Sequence, residues 1–251
     1  MALLLFTDFG ASDLYLGQVE LVLDRYAPGV RVVHLCNEAP AFDVRASAHL
    51  LAALVRYVPR GHVLIAVVDP GVGTERNAVV LRADGRWLVG PDNGLLSIVA
   101  ARAATRQVWR VVSFPAGLSA SFHGRDLFAS VAAAVATDDF PNDTVRETDG
   151  LAVRLADEDL ARVIYLDHYG NAMTGLRAES ADRALDLRVN DAVFRHARVF
   201  GEVPPEAAFW YENSLGLVEV AVSGASAVER LGLRVGDAVE WVREHPRATL
   251  A

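Results

Sequence analysis

The stretch Val63-Leu64-Ile65-Ala66-Val67-Val68-Asp69-Pro70-Gly71-Val72-Gly73-Thr74-Glu75-Arg76 decides how the chain is read. Val63–Val68 is apolar at every position, without the in-and-out alternation of a half-exposed strand. Such a run fits a strand buried on both faces, the usual state of a parallel sheet flanked by helices. It then breaks at Asp69-Pro70-Gly71-Val72-Gly73, where a proline and two glycines make a tight loop whose backbone can approach a ligand closely. Ligands of open parallel sheets bind at the carboxyl ends of the strands, so this polar loop stands where chemistry is expected.

The flanking sequence agrees. Ala2–Thr7 reads as a short buried strand ending in Asp8-Phe9-Gly10, and not as a signal peptide, because no basic segment or cleavage-like site accompanies it. Asp13–Tyr26 carries Leu14, Leu16, Val19, Val22 and Leu23 at helical spacing and stops before Pro28-Gly29. Val30–Leu35 is a second strand and Asp43–Val58 a second helix closed by Pro59. Asp84-Gly85 between Ala78–Arg82 and Trp87–Val89 predicts a tight hairpin. Asn93–Ala103 reads as helix, Val108–Val112 as strand and Gly124–Thr137 as an Ala-rich helix. This order predicts an α/β domain over 1–150 with a mainly parallel sheet flanked by helices.

Thr137–Asp149, acidic and poor in apolar residues, marks the expected boundary. Beyond it short strands replace the alternation: Val163–Leu166, Asp186–Val189, Val193–Arg195, Ala207–Tyr211, Leu217–Val222 and Ala238–Val242, with one brief helix near Ala225–Leu231. Residues 151–251 are therefore expected to form a smaller all-β barrel or sandwich.

Composition narrows the function. A formal net charge of −8 argues against nucleic acid as a partner. The apolar runs are too short to span a membrane. A single cysteine, Cys36, cannot form an internal disulfide, and the chain is expected in the reducing cytoplasm. All 24 basic residues are arginines. Without lysine there is no pyridoxal Schiff base, no P-loop or kinase phosphate lysine and no Ser-Lys dyad. The seven histidines show no metal-ligand spacing, so no metal is expected.

Several polar clusters follow strands. Asp8 is placed to accept the hydroxyls of a ribose, or else to cap the next helix. Asp69 and Arg76 are presented by one rigid loop, as a site or as a local ion pair. Gly71-Val72-Gly73 lacks the third glycine and the following helix of a dinucleotide loop. His123, within Phe122-His123-Gly124-Arg125-Asp126, stands where a helix start favours an anion or a hydroxide-like oxygen, or is a capping residue. Asp167-His168-Tyr169-Gly170-Asn171 and Tyr211-Glu212-Asn213-Ser214-Leu215-Gly216 read singly as turns.

Taken in order, Thr7-Asp8-Phe9-Gly10, Asp69-Pro70-Gly71-Val72-Gly73 with Arg76, Pro91-Asp92-Asn93-Gly94, Phe122-His123-Gly124-Arg125-Asp126, Gly170-Asn171 and Asn213-Ser214-Leu215-Gly216 resemble the S-adenosyl-L-methionine hydroxide adenosyltransferase family. Fluorinating and chlorinating enzymes are relatives of that family. The resemblance runs from Thr7 to about Gly236-Asp237. It departs at Gln18-Val19-Glu20, where relatives often carry a Lys and a second Gly, and at Thr174-Gly175, where Thr-Asn is usual.

The resemblance implies cleavage of S-adenosyl-L-methionine at C5′–S by water, giving adenosine and methionine without a cofactor. It implies a homotrimer with the substrate at a subunit interface. Asp69, Arg76 and His123 would be the catalytic set, which halide-using relatives lack. Asp8 would hold the ribose, and Asp167, Asn171 and Ser214 the ribose and methionine portions. Glu219 and Val222 would lie near the amine or adenine, with Phe200 or Tyr211 stacked on the base. A halogenase-like enzyme and a non-catalytic adenosylmethionine or nucleoside sensor are the alternatives; a methyltransferase would need an acidic Gly-rich loop after the first strand.

Overall fold

Strands β1 (Leu3–Thr7) and β3 (Val63–Val67) are buried at every position, as strands covered on both faces must be. The computed structural model describes residues 1–114 and 116–243, which divide into two compact units, Met1–Asp157 and a second beginning at Glu158. The expected boundary stretch contains a strand of the first unit, β7 (Val145–Thr148), and the division falls after it.

In the first unit, β1 and β3 are joined by α1 (Leu14–Tyr26), β2 (Val32–Cys36) and α2 (Val44–Leu54). There follow β4 (Ala78–Ala83), β5 (Arg86–Pro91), α3 (Ser97–Arg102), β6 (Arg106–Val111), a π-helical turn at Gly124–Phe128, α4 (Ala129–Ala136) and β7. The sheet order is β2-β1-β3-β5-β4-β6-β7. Strands β2, β1, β3 and β5 pair in parallel, whereas β4, β6 and β7 add antiparallel pairings. The mainly parallel sheet is therefore a mixed one. The cause is the expected hairpin: Asp84 (φ 47°) and Gly85 (φ 79°) turn the chain back within two residues.

Helix α1 starts at Asp13, whose carboxylate accepts the Leu14 N–H, and α2 starts at Asp43, which accepts the Ala46 N–H at 2.9 Å. Leu16, Val19 and Leu23 of α1 and Phe128 and Val131 beside them pack onto Leu3, Leu5, Val63 and Ile65. Strand alternation turns Leu4, Phe6, Leu64 and Ala66 to the opposite face, where they are buried as well. Helix α2 packs with α3, and α1 with α4. Helices thus sandwich the sheet, and its carboxyl end is left to the loops.

The second unit is a single sheet of β8 (Leu160–Leu166), β9 (Ala172–Arg177), β10 (Asp186–Val189), β11 (Ala192–His196), β12 (Ala208–Glu212), β13 (Leu217–Val222) and β14 (Val239–Val242), ordered β14-β10-β11-β12-β13-β9-β8. Helix α5 (Ala227–Leu231) lies between its last strands in sequence. All pairings are antiparallel except β11 with β12. Its ends also meet: Val163 donates to Asp237 O and accepts from Gly236 N, both at 2.8 Å, and Arg162 bridges to Ala238. The expected barrel is thus nearly closed, around Trp210, Phe194, Leu187 and Val220.

Candidate active site

The loop after β3 folds as two successive tight turns, Val72 N–H to Asp69 O and Thr74 N–H to Gly71 O, both 3.1 Å. Gly73 takes φ +79°, and a Cβ there would sit 2.5 Å from Ala120 O. Only glycine allows this approach. It seats the loop against the segment leading into His123, so that residues far apart in sequence meet.

Arg76 spans them. Its Nε donates to both carboxylate oxygens of Asp69, at 3.0 and 2.9 Å, and its Nη2 adds a short contact to Oδ2. The same Nη2 lies 2.8 Å from His123 Nδ1. Arginine only donates, so Nδ1 must accept, and the neutral ring carries its proton on Nε2. Burial first, then the Arg76 charge, holds the His123 pKa below its ordinary value; the Asp69 and Asp126 carboxylates oppose this. His123 is therefore a neutral, oriented imidazole at neutral pH. The ion pair itself is 10% and 4% exposed, and the guanidinium carbon lies 5.3 Å from the Phe128 ring centroid.

Asp8, Asp69 and His123 line one cleft of about 350 Å³, with the aromatic rings of Phe9, Tyr15, Phe42 and Phe122. Asp8 accepts the Phe42 N–H at 3.4 Å; burial, more than any other influence, raises its pKa. Asp13, not Asp8, caps the helix, which leaves the Asp8 carboxylate to the cleft. Arg76 does not line this cleft. It opens with His123 on a neighbouring one of about 500 Å³, lined also by Asn77, Arg110 and Leu118. Asp69, Arg76 and His123 thus form a wall with Asp69 on one side, Arg76 on the other and His123 on both.

Two further motifs hold the scaffold. Asn93 donates to Val68 O at 2.9 Å, fixing the end of the decisive strand, and Asp92 accepts from Ala152 and Val153 N–H at 2.9 and 3.3 Å. Because Asn93 Oδ1 also takes the Leu95 N–H, the turn runs on past the predicted helix start, and α3 begins at Ser97. Likewise the predicted helix from Gly124 opens as a π turn, closed by the Ala129 N–H on Gly124 O; just before it Asp126 N–H reaches Phe122 O at 3.2 Å, and the Asp126 side chain accepts the Ser119 N–H. Such turns are frequent at functional sites.

In the second unit, Asp167, Asn171, Phe200, Tyr211, Ser214, Glu219 and Val222 all line one cleft of about 740 Å³. Asp167 accepts from Tyr169 and Asn171 N–H at 3.0 and 2.8 Å and from the Asn171 amide at 2.9 Å. Glu219, 2% exposed, accepts the Tyr211 hydroxyl and, at 2.7 Å, the Asn213 amide. Burial raises the pKa of Glu219 while these two donors lower it, and the Tyr211 hydroxyl is driven well above its usual range by burial and by Glu219. Phe200 stands edge-on to Tyr211, ring centroids 5.3 Å apart.

Some residues lining the Asp8 cleft and the cleft of the second unit are not singled out by the sequence. Phe9, Phe122, Tyr169 and Asn213 stand beside Asp8, His123, Asp167 and Ser214 in the loop motifs, where the polar neighbour carries the stronger chemical signal. Tyr15, Phe42, Met173 and Ser226 carried no separate signal. Among the described residues no group of three His, Cys, Asp or Glu side chains is placed to hold a metal ion, and no helix is long and apolar enough to cross a membrane.

Comparison with known proteins follows the same two units. Residues 3–145 match the SAM hydroxide adenosyltransferase N-terminal domain and residues 161–240 its C-terminal domain. An (R)-S-adenosyl-L-methionine hydrolase of Salinispora arenicola is 40% identical over 92% of this chain and 94% of its own length. A fluorinase of Actinopolyspora mzabensis is 25% identical over 94% of this chain and 95% of its own. The crystal structure of an uncharacterized conserved protein from Thermotoga maritima superposes with a TM-score of 0.86 at 27% identity, covering 96% of this chain and all (100%) of that one.

Proposed function

Because the chain belongs to the S-adenosyl-L-methionine hydroxide adenosyltransferase family, we propose that it hydrolyses S-adenosyl-L-methionine to adenosine and methionine through the wall formed by Asp69, Arg76 and His123. The observation that carries the reading is the shared guanidinium: one Arg76 side chain orients the Asp69 carboxylate and fixes the His123 tautomer at the edge of a cleft that also holds Asp8.

The sulfonium is a built-in leaving group, so the protein needs an aligned nucleophile and a site that limits side reactions. Water lies behind C5′, held by the Asp69 carboxylate, which accepts one of its hydrogens, and by the Nε2–H of His123, which donates to its oxygen. A lone pair is left facing C5′. The oxygen–C5′ bond forms as C5′–S breaks, and the bonding pair returns to sulfur as the neutral thioether of methionine. The positive charge passes to the new oxygen, which gives its proton to Asp69 and then to solvent. Arg76 is a positioning residue here. Asp8 accepts the ribose hydroxyls; Asp167, Asn171 and Ser214 bind the ribose and methionine portions; Glu219 and Val222 flank the amine or adenine, with Phe200 or Tyr211 stacked on the base. No cofactor enters this scheme.

The reading includes a homotrimer with the substrate at a subunit interface, and a cytoplasmic setting. The first rests on the family to which the chain belongs. The single cysteine supports the second.

The test is to incubate the protein with S-adenosyl-L-methionine in chloride buffer and identify the nucleoside by chromatography and mass spectrometry. Adenosine is expected; a 5′-halo nucleoside would redirect the reading to halogenation, and no product to a sensor. Asp69→Asn and His123→Ala should each abolish adenosine release while calorimetric binding persists. Turnover surviving both changes overturns the assigned roles.

A further inference from the structure

Phe9, Tyr15 and Phe122 come from three separate segments and meet as a triangle, with ring centroids 5.8, 5.7 and 5.3 Å apart. All three line the cleft that holds Asp8, Asp13 and Asp69. Two of the contacts are edge-on, at interplanar angles of 75° and 82°. Edge-to-face rings direct their negative faces into different quarters, which suits a pocket for a compact cation more than a slot for a flat one.

The arrangement is built rather than incidental. A Cβ at Gly124 would lie 2.8 Å from Phe9 Cζ and 3.3 Å from Phe122 Cε2, so the glycine after His123 makes the room that two of the rings occupy. Phe122 is braced by Arg125, whose guanidinium carbon is 5.2 Å from the ring centroid and whose nitrogens are held by Asp126 and Gln18. One face of the trio thus already carries a cation. Tyr15 projects from α1 with 41% of its surface exposed, although Leu16 beside it is buried. An aromatic ring left open at a cleft edge among carboxylates is suited to a positively charged partner.

We propose that Phe9, Tyr15 and Phe122 recognise the positive charge of the substrate's sulfonium and so separate S-adenosyl-L-methionine from its neutral thioether counterpart. The inference rests on the hydrolase reading and goes beyond it: the trio sets which charge state binds, and takes no part in the chemical step. A sulfonium spreads its charge over the carbons attached to sulfur, and the faces of aromatic rings attract such soft cations as they do quaternary ammonium groups. The neutral thioether has the same shape less one methyl group and lacks that attraction.

The experiment compares two competitive inhibitors of adenosine release from the full chain. Sinefungin places a protonated amine where the sulfonium stands and cannot be cleaved at that bond; S-adenosylhomocysteine is the neutral thioether. Phe9→Leu and Tyr15→Leu keep apolar bulk and remove the ring. Each is expected to raise the sinefungin inhibition constant and the KM for S-adenosyl-L-methionine about tenfold, with kcat and the S-adenosylhomocysteine constant within about twofold. Tyr15→Phe should restore the parent values. If both inhibitors weaken together, or neither does, charge recognition by the trio is overturned. Failure of the unaltered protein to release adenosine would instead overturn the hydrolase reading, so the two failures are distinguishable.

Discussion

Arg76 Nη2 stands 2.8 Å from His123 Nδ1 while the same side chain grips both oxygens of Asp69. One planar group therefore sets a carboxylate and an imidazole relative to each other, a task that a lysine, with its single point of charge, cannot perform. Arg76→Lys is expected to lower kcat at least about 100-fold with little change in KM, because binding groups elsewhere are untouched. Steady-state kinetics decide it: a KM effect with kcat preserved would make Arg76 a binding residue.

Arg76→Leu should also weaken the fold. Asp69 would remain 4% exposed without its cation, and breaking a buried pair by removing one partner costs about 3–5 kcal/mol. Urea denaturation of the variant beside Asp69→Asn/Arg76→Leu measures this. The double variant should recover part of the loss, since its buried group is no longer charged.

The pH profile follows from His123. Its pKa is depressed below the ordinary 6.5 by burial and by Arg76. The neutral ring is thus the favoured folded form. Its contribution to stability is present above 6.5 and is lost as pH falls through the depressed folded value. The acid limb that His123 contributes to kcat/KM should accordingly lie below pH 6.5, and Arg76→Gln should move it upward. An acid limb that stays in place in that variant would assign it to another group.

Gly73→Ala puts a methyl group 2.5 Å from Ala120 O in a left-handed conformation. Strain of about 1–3 kcal/mol is expected, relieved by withdrawing the loop from the His123 segment. Both Tm and kcat should fall, whereas Gly117→Ala, left-handed but with open space around it, should lower Tm alone.

In the second unit, Glu219→Gln replaces an acceptor-only group by one carrying an amide, which must face either the Tyr211 hydroxyl or the Asn213 amide. KM for S-adenosyl-L-methionine should rise about tenfold with kcat retained, as for one charge-assisted hydrogen bond. A fall confined to kcat would move Glu219 into the catalytic set.

Much of this was legible in the sequence, and the gaps have physical causes. Val63–Val68 announced its burial on both faces, and Asp84-Gly85 its turn. Strand β7 was hidden because an edge strand needs few apolar residues, and Val145-Arg146-Glu147-Thr148 offers one buried side chain amid an acidic stretch. Strand β9 was missed because Gly175 interrupts it. A Cβ there would lie 2.6 Å from both Leu160 O and Leu160 Cβ, so the glycine that weakens the sequence signal is what lets β8 lie close. At the candidate site, Asp69, Arg76 and His123 were each visible as polar residues in loops, but no spacing rule joins Arg76 to a residue 47 positions on. The tautomer of His123 and the aromatic trio depend on that long-range meeting, and neither could be read from local pattern.

The seam between Val163 and Gly236-Asp237 has a consequence for how the second unit comes apart. A ladder with two free rims can fray strand by strand, but here the two rims are tied to each other by two backbone hydrogen bonds and a bridge. Its amide protons should therefore exchange with solvent on one common timescale, including those of β8 and β14, the strands that an open sheet would leave as its loosest.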